Sequence, residues 1–192
     1  MQTLTVSDIQ SNAEYEAVRA QVRKDICALR SLRRVELSDT FIVIFENRDT
    51  VRFQVQEMLR VERMDSPERI ALELSCFNLL IPAEGELSAT LMIRVPEYHS
   101  IEERLERMAG ITRNALSLVV GHHEIPARFE IEDDIACESD VLYIRFHFTS
   151  EQRSLFCTPA TPVQLRSIHP ECHASVALEG ELRNSLIGDL LQ

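Results

Sequence analysis

Residues 41–64, FIVIFENRDTVRFQVQEMLRVERM, constrain the fold more than any other stretch. Phe41 to Phe45 is an unbroken apolar run, which reads as a strand covered on both faces. Asn47 to Thr50 is a turn signal, and Thr50 is placed to cap the helix that follows. At 100° per residue, that helix sets Val51, Val55, Met58 and Leu59 on one side. Glu62 falls inside this apolar stripe. Glu57 falls in a second apolar patch, with Phe53, Val61 and Met64. Arg52, Gln56, Arg60 and Arg63 make the solvent face. Two carboxylates are therefore expected to look inward from a mostly buried helix.

An unpaired buried carboxylate costs several kcal/mol, or its pKa rises by up to ~3–5 units until it is neutral. An arginine partner, a metal or a proton shared in catalysis each answers that cost. The arginine pair is the plainest answer, because it asks nothing beyond the fold.

Composition removes several function classes. A chain of 192 residues fits one domain, taken as 1–192, and can bury enough surface to fold without a disulfide or metal. The net charge of −11 and the lack of a long basic run argue against nucleic acid and an anionic membrane as partners. Five scattered cysteines without a C-x-x-C pattern fit a reduced, cytoplasmic protein. No apolar signal segment or membrane-spanning run is present.

In chain order, residues 3–6 read as a short strand. Ser7 and Gln10 then read as the capping box of a helix reaching about Leu32, with Arg19, Arg23, Lys24 and Arg30 off its apolar stripe. Residues 35–37 and 41–45 read as a hairpin. Ser66 and Pro67 open a second helix, which Pro82 ends. The short link between the two helices predicts an antiparallel pair, on which Glu57, Glu62, Glu73 and Asn78 can converge. Residues 87–95 alternate as a half-buried strand stopped by Pro96. A helix is expected from Ser100 to Gly121, bent or split at Gly110. Strands follow from Pro126 and over 141–148, then a helix over 150–156, strands over 163–168 and 174–178, and a last helix over 180–191. Glu130, Glu132, Asp133 and Asp134 read as a solvated acidic edge. The sum is α+β: a mainly antiparallel sheet with an inserted antiparallel helix pair and further packing helices.

Three constellations can carry chemistry. The carboxylates Glu57, Glu62 and Glu73 with Asn78 resemble the donors that hold iron or manganese between helices, although neither helix supplies the histidine such sites use. Arg94 and Arg145, or Arg33 or Arg34, are the competing partners. His169, Cys172 and His173, with Cys157 upstream, form a soft donor cluster of no standard zinc spacing. His122 and His123 point opposite ways in an extended segment, so at most one faces a site. No phosphate-cradling loop, nucleophile elbow or dinucleotide fingerprint is present.

The segments FENRDTVRFQVQEMLRVERM, ALELSCFNLLIP, GELSATLMIRV and IHPECH together resemble the bacterial domain-of-unknown-function family thirty-five-oh-one. The family pattern falls on Phe45, Glu46, Asn47, Gln54, Glu57, Met58, Glu62, Glu73, Leu74, Asn78, His169 and Pro170. The chain departs from it at Phe77 and Cys172, where tyrosines are expected, and the second departure weakens Cys172 as a ligand. Members are often encoded near rubrerythrin-like and iron–sulfur oxidoreductase proteins, so the resemblance implies a redox or peroxide-stress setting and assigns no reaction.

Two readings follow. The leading one is a cytoplasmic accessory or binding protein with a redox protein partner. Its polar site centres on Glu57 and Glu62 and takes in Glu46, Asn47, Gln54, Glu73, Asn78, Arg94 and Arg145. The alternative is an enzyme holding a divalent metal (Fe, Mn or Zn) on Glu57, Glu62, Glu73 and His169. A homodimer formed through the helix over 50–64 is a third use of the same surface.

Overall fold

The computed structural model describes residues 2–94, 100–131 and 139–192. Two antiparallel sheets carry the chain. The first has the order β1 (Arg34–Glu36), β2 (Phe41–Glu46), β3 (Glu86–Ile93), β7 (Val141–His147), β6 (Arg128–Phe129). The second has the order β5 (His123–Pro126), β4 (Leu116–Val120), β8 (Val163–His169), β9 (Cys172–Ala177). The helices are α1 (Asn12–Leu32), α2 (Arg48–Glu62), α3 (Pro67–Phe77), α4 (Ile101–Met108), α5 (Ser150–Cys157) and α6 (Gly180–Leu190).

The apolar run of β2 has a direct cause: all six of its residues are buried. Phe41, Val43 and Phe45 enter a core shared with Leu118 and Leu165 of the second sheet and with Phe156, Leu186 and Leu190 of α5 and α6. Their neighbours Ile42, Ile44 and Glu46 point to the opposite face. A second cluster holds Val51, Val55 and Leu59 of α2, Ile70 and Leu74 of α3, and Leu4 from the N-terminal segment. Each fully buried aliphatic or aromatic side chain contributes about 1.5–3 kcal/mol, so Phe41, Val43 and Phe45 make β2 a main support of the first core.

The register places the polar face of β3 beside β2. Glu46 pairs with Ser88 and Ile44 with Thr90. β3 in turn sets Ser88 against Arg145 and Glu86 against His147 on β7.

Several expectations are corrected. Residues 3–6 form no strand; a short 3-10 turn, Val6–Asp8, follows them. α1 starts later than expected, capped by Ser11 in a reciprocal box with Glu14. The cap of α2 is Asn47, whose Oδ1 accepts from the Asp49 and Thr50 amides; Thr50 supplies the return half of the box. The helix expected through Gly121 stops at Met108. Gly110 and Asn114 adopt positive φ there, and the β-branched tail of LSLVV becomes β4, paired on both sides. Pro126 ends β5, and the chain changes sheets between it and β6. The expectations for Val95, Pro96, Glu132, Asp133 and Asp134 lie outside the described residues. No helix among the described residues is long and apolar enough to cross a membrane.

Candidate functional site

The polar centre of the molecule lies where β2 passes into α2. No loop separates them, so Glu46 ends the strand and Asn47 caps the helix. Glu46 is 1% exposed. The helical repeat stacks Thr50 and Gln54 above it, four and eight residues on. The Thr50 hydroxyl donates to Glu46 Oε2 at 2.5 Å and the Gln54 amide at 3.1 Å. Thr90, diagonal to Glu46 on the adjacent strand, donates to Oε1 at 2.7 Å. Among the described residues, no cationic side chain forms an ion pair with Glu46; neutral donors hold it.

A second network wraps the backbone of the same residues. Arg33, at the end of α1, is wholly buried. Its guanidinium donates to the carbonyls of Phe45 at 2.8 Å and Glu46 at 3.0 Å and to Ser185 Oγ at 2.7 Å, and it pairs with the Asp189 carboxylate. Burial pushes the Asp189 carboxyl upward, and the Arg33 charge opposes that push. The pair thus ties α6 to the β2–α2 junction.

The third network is the one around Glu57. Tyr15 and Arg19 stand one turn apart on α1 and both reach it. The Tyr15 hydroxyl donates to Oε1 at 2.7 Å, and Arg19 grips both oxygens through Nε and Nη2 at 2.8 Å each. Arg19 is the main reason the Glu57 carboxyl falls to about 2, with Tyr15 adding to it. Burial, then the Glu57 carboxylate, pushes the Tyr15 hydroxyl well above its ordinary value. Beside this network a cleft of about 340 Å³ opens between α1 and α2, with Tyr15, Val18, Val22, Ile26 and Phe53 among its walls.

The other expected site residues are dispersed. Glu62 is exposed and makes no polar contact among the described residues. It is the last residue of α2, and beyond the cover of α3 even its neighbour Val61 is exposed. The inward carboxylate expected there is therefore corrected. Glu73 is half-buried on α3. Asn78 binds the backbone of Leu4 in both directions, at 2.7 and 2.9 Å. Arg94 is exposed. Arg145 bridges Glu86 and Glu130 on the outer face of the first sheet, at 2.9 and 2.8 Å. Gln54 joins Glu46, not Glu57. Of the helix over 50–64, on which a second copy was expected to dock, Val51, Val55 and Leu59 are covered within the chain.

His169 ends β8 in the second sheet, buried, with its ring 5.5 Å from that of Phe41. Its Nδ1 accepts from the Glu171 amide at 3.3 Å, and Cys172 stands opposite it across a two-residue turn. Cys172 is buried and His173 is exposed. Among the described residues, no group of three or more His, Cys, Asp or Glu side chains comes together as metal donors.

Sequence reasoning missed Asp189, Tyr15 and Ser185. Asp189 did carry a signal: it shares a helical face with Leu186 and Leu190.

Fold and site together define a two-sheet α+β protein whose buried polar junction ties the end of α1, β2, β3, the start of α2 and α6 together. The chain belongs to the family described as protein of unknown function (DUF3501), whose profile matches residues 3–190. It is also similar to a crystal structure of a novel protein of unknown function from Burkholderia pseudomallei, with a TM-score of 0.88 and 26% identity, covering 98% of this chain and 100% of that one. No curated protein matches.

Proposed function

We propose that this is a cytoplasmic accessory protein that binds a redox protein partner through the face formed by α1 and α2. One observation carries the reading. Glu46 and Glu57 are satisfied by the protein itself, while a cleft that mixes Val18, Val22, Ile26 and Phe53 with Asp8, Asp49, Arg52 and Gln56 stands open beside Glu57. Glu57 is matched by Arg19 and Tyr15, and Glu46 by two hydroxyls and an amide. Such networks fix the two helices and shape the cleft between them; they leave no carboxylate waiting for a reactant. Val18, at the rim, is 41% exposed. The redox setting is what the family resemblance implies. The metal-dependent enzyme is less well supported, since Glu57 and Glu62 lie on α2, Glu73 on α3 and His169 on β8, and among the described residues they do not come together as metal donors.

The test uses tag-free protein. It is analysed for iron, manganese and zinc, then titrated calorimetrically with a rubrerythrin-like and an iron–sulfur oxidoreductase protein, the partner classes that the family resemblance implies. Saturable binding that Val18→Asp abolishes, with unfolding unchanged, is the expected result. Stoichiometric metal lost in Glu57→Gln would replace this reading with the enzyme. A dimer mass in light scattering that Val18→Asp dissolves would replace the redox partner with a second copy.

A further inference from the structure

α1 is a long helix that lies mostly outside the cores. Of its 21 residues only Tyr15 and Ile26 are buried. Its outward face carries Arg19, Arg23, Lys24 and Arg30, and the first three line a shallow groove with Glu16, Ala20 and Cys27. These cations do not share one fate. Arg19 is committed to Glu57. Arg23, Lys24 and Arg30 make no ion pair or side-chain hydrogen bond among the described residues. The one acid within the stripe, Asp25, is held by Gln21 at 2.8 Å instead.

Elsewhere most arginines are matched. Arg33, Arg48, Arg104, Arg107, Arg145 and Arg166 each face a carboxylate. The contrast in charge is large. Residues 19–30 hold four basic side chains and one acid, with Glu16 at their edge, while the rest of the chain holds 16 basic and 30 acidic residues. A stretch of +3 therefore sits on a remainder of −14.

We propose that the outward face of α1, through Arg23, Lys24 and Arg30, docks an acidic segment of a partner protein. This deepens the accessory-protein reading, on which it rests, by naming the partner's chemistry. Charge complementarity selects the occupant. Twelve residues of helix span about 18 Å, which suits a short acidic peptide. A duplex or a lipid surface is a long, uniform polyanion and would also meet the surrounding negative charge. The stripe adjoins the apolar wall that α1 gives to the cleft: Val18 and Val22 precede Arg19 and Arg23 by one position each. An acidic segment with apolar residues one turn apart would fill both. Complementary charge of this kind fixes the orientation of docking and speeds encounter.

The probe is a fluorescein-labelled peptide of alternating glutamate and leucine turns, followed by anisotropy, with ¹⁵N-shift mapping on the full chain. Arg23→Glu/Lys24→Glu is compared with Arg63→Glu/Arg69→Glu, two exposed cations elsewhere, so net charge is equal in both. The first pair is expected to weaken binding at least about tenfold, and the second to change it little. Equal losses, or shifts that map away from residues 18–30, would overturn the proposal. So would tighter binding of a 20-base-pair duplex or of phosphatidylserine vesicles through the same cations. If the peptide fails while Val18→Asp still abolishes binding of the redox partner, the accessory reading stands and only the acidic docking falls.

Discussion

Arg33 and Asp189 are 156 positions apart in sequence and close upon one another in the core, the guanidinium entirely out of water. The arginine ends the first long helix, and the aspartate lies in the last turn of the final one. Between them pass the carbonyls of Phe45 and Glu46, which accept from the same guanidinium. Asp189→Ala leaves a buried cation without its counter-charge and is expected to cost about 3–5 kcal/mol. In a domain of this size that lowers the thermal midpoint by about 6–20 °C. Arg33→Met/Asp189→Leu should recover only part of the loss, because the two carbonyls still lack their donor. Thermal unfolding of both singles and the double measures the coupling. A coupling energy near zero would mean that the pair does not hold α6 in place.

The Glu57 network gives the protein an acid-sensitive term. Its folded carboxyl lies at about 2, below the ordinary 4.5. A lowered carboxylate stabilises the fold above the unfolded value, and that contribution drains away as pH falls from about 4.5 towards about 2. Asp8, gripped chiefly by Arg48, adds to this over a narrower window, from its ordinary 3.8 towards about 2. Both groups touch water, so screening holds each contribution to about 1 kcal/mol. Urea unfolding from pH 7 to pH 2.5 should show a loss of stability below pH 4.5 that Glu57→Gln reduces. An unchanged slope in that variant would remove Glu57 as its source.

Much of the architecture was readable because the relevant signals are local. The apolar run of β2, the capping pattern at Ser66–Pro67 and the alternation of β3 and β7 each depend on neighbours within one element. The failures lie where distant chain decides. LSLVV fits a buried helix as well as a strand, and only pairing with β5 and β8 selects the strand. Glu46 entered the expected site only through the family resemblance, because its partner Thr90 comes from a strand 44 positions on. Glu62 was misread because a helical wheel takes the cover to be uniform along the axis. Here α2 outlasts its packing partner at the C-terminal end, and its last turn stands in water.

That difference sets Glu57 against Glu62 in a direct comparison. Both are glutamates of α2, five positions apart. Glu57→Gln strips the ionic partner from Arg19 and a strong acceptor from Tyr15, and should cost about 1–3 kcal/mol. Glu62→Gln alters an exposed side chain without a polar partner among the described residues, and should fall within about 0.5 kcal/mol of wild type. Tyr15→Phe, which deletes only the donor, should cost about 1–2 kcal/mol. Chemical denaturation ranks the three. A Glu62 loss as large as that of Glu57 would contradict the placement of the end of α2.

The hydroxyls around Glu46 can be separated by the number of tasks each performs. Thr90 donates once, to Oε1, from a β-strand whose other face is core. Thr90→Val keeps shape and β-propensity while removing that donor, so its cost of about 1–3 kcal/mol reports the hydrogen bond alone. Thr50 donates to Oε2 and also accepts from the Asn47 amide at the start of α2. Thr50→Val therefore loses the bond to Glu46 and half of the capping box, which adds about 0.5–2 kcal/mol. Thr50→Ser and Thr90→Ser retain the oxygen and should recover most of each loss. The order Thr50→Val, Thr90→Val, then the two serine variants, from least to most stable, is expected in urea unfolding at pH 7. Thr90→Val at wild-type stability would mean that Glu46 does not depend on β3, and that the β2–α2 junction is held from the helix side alone.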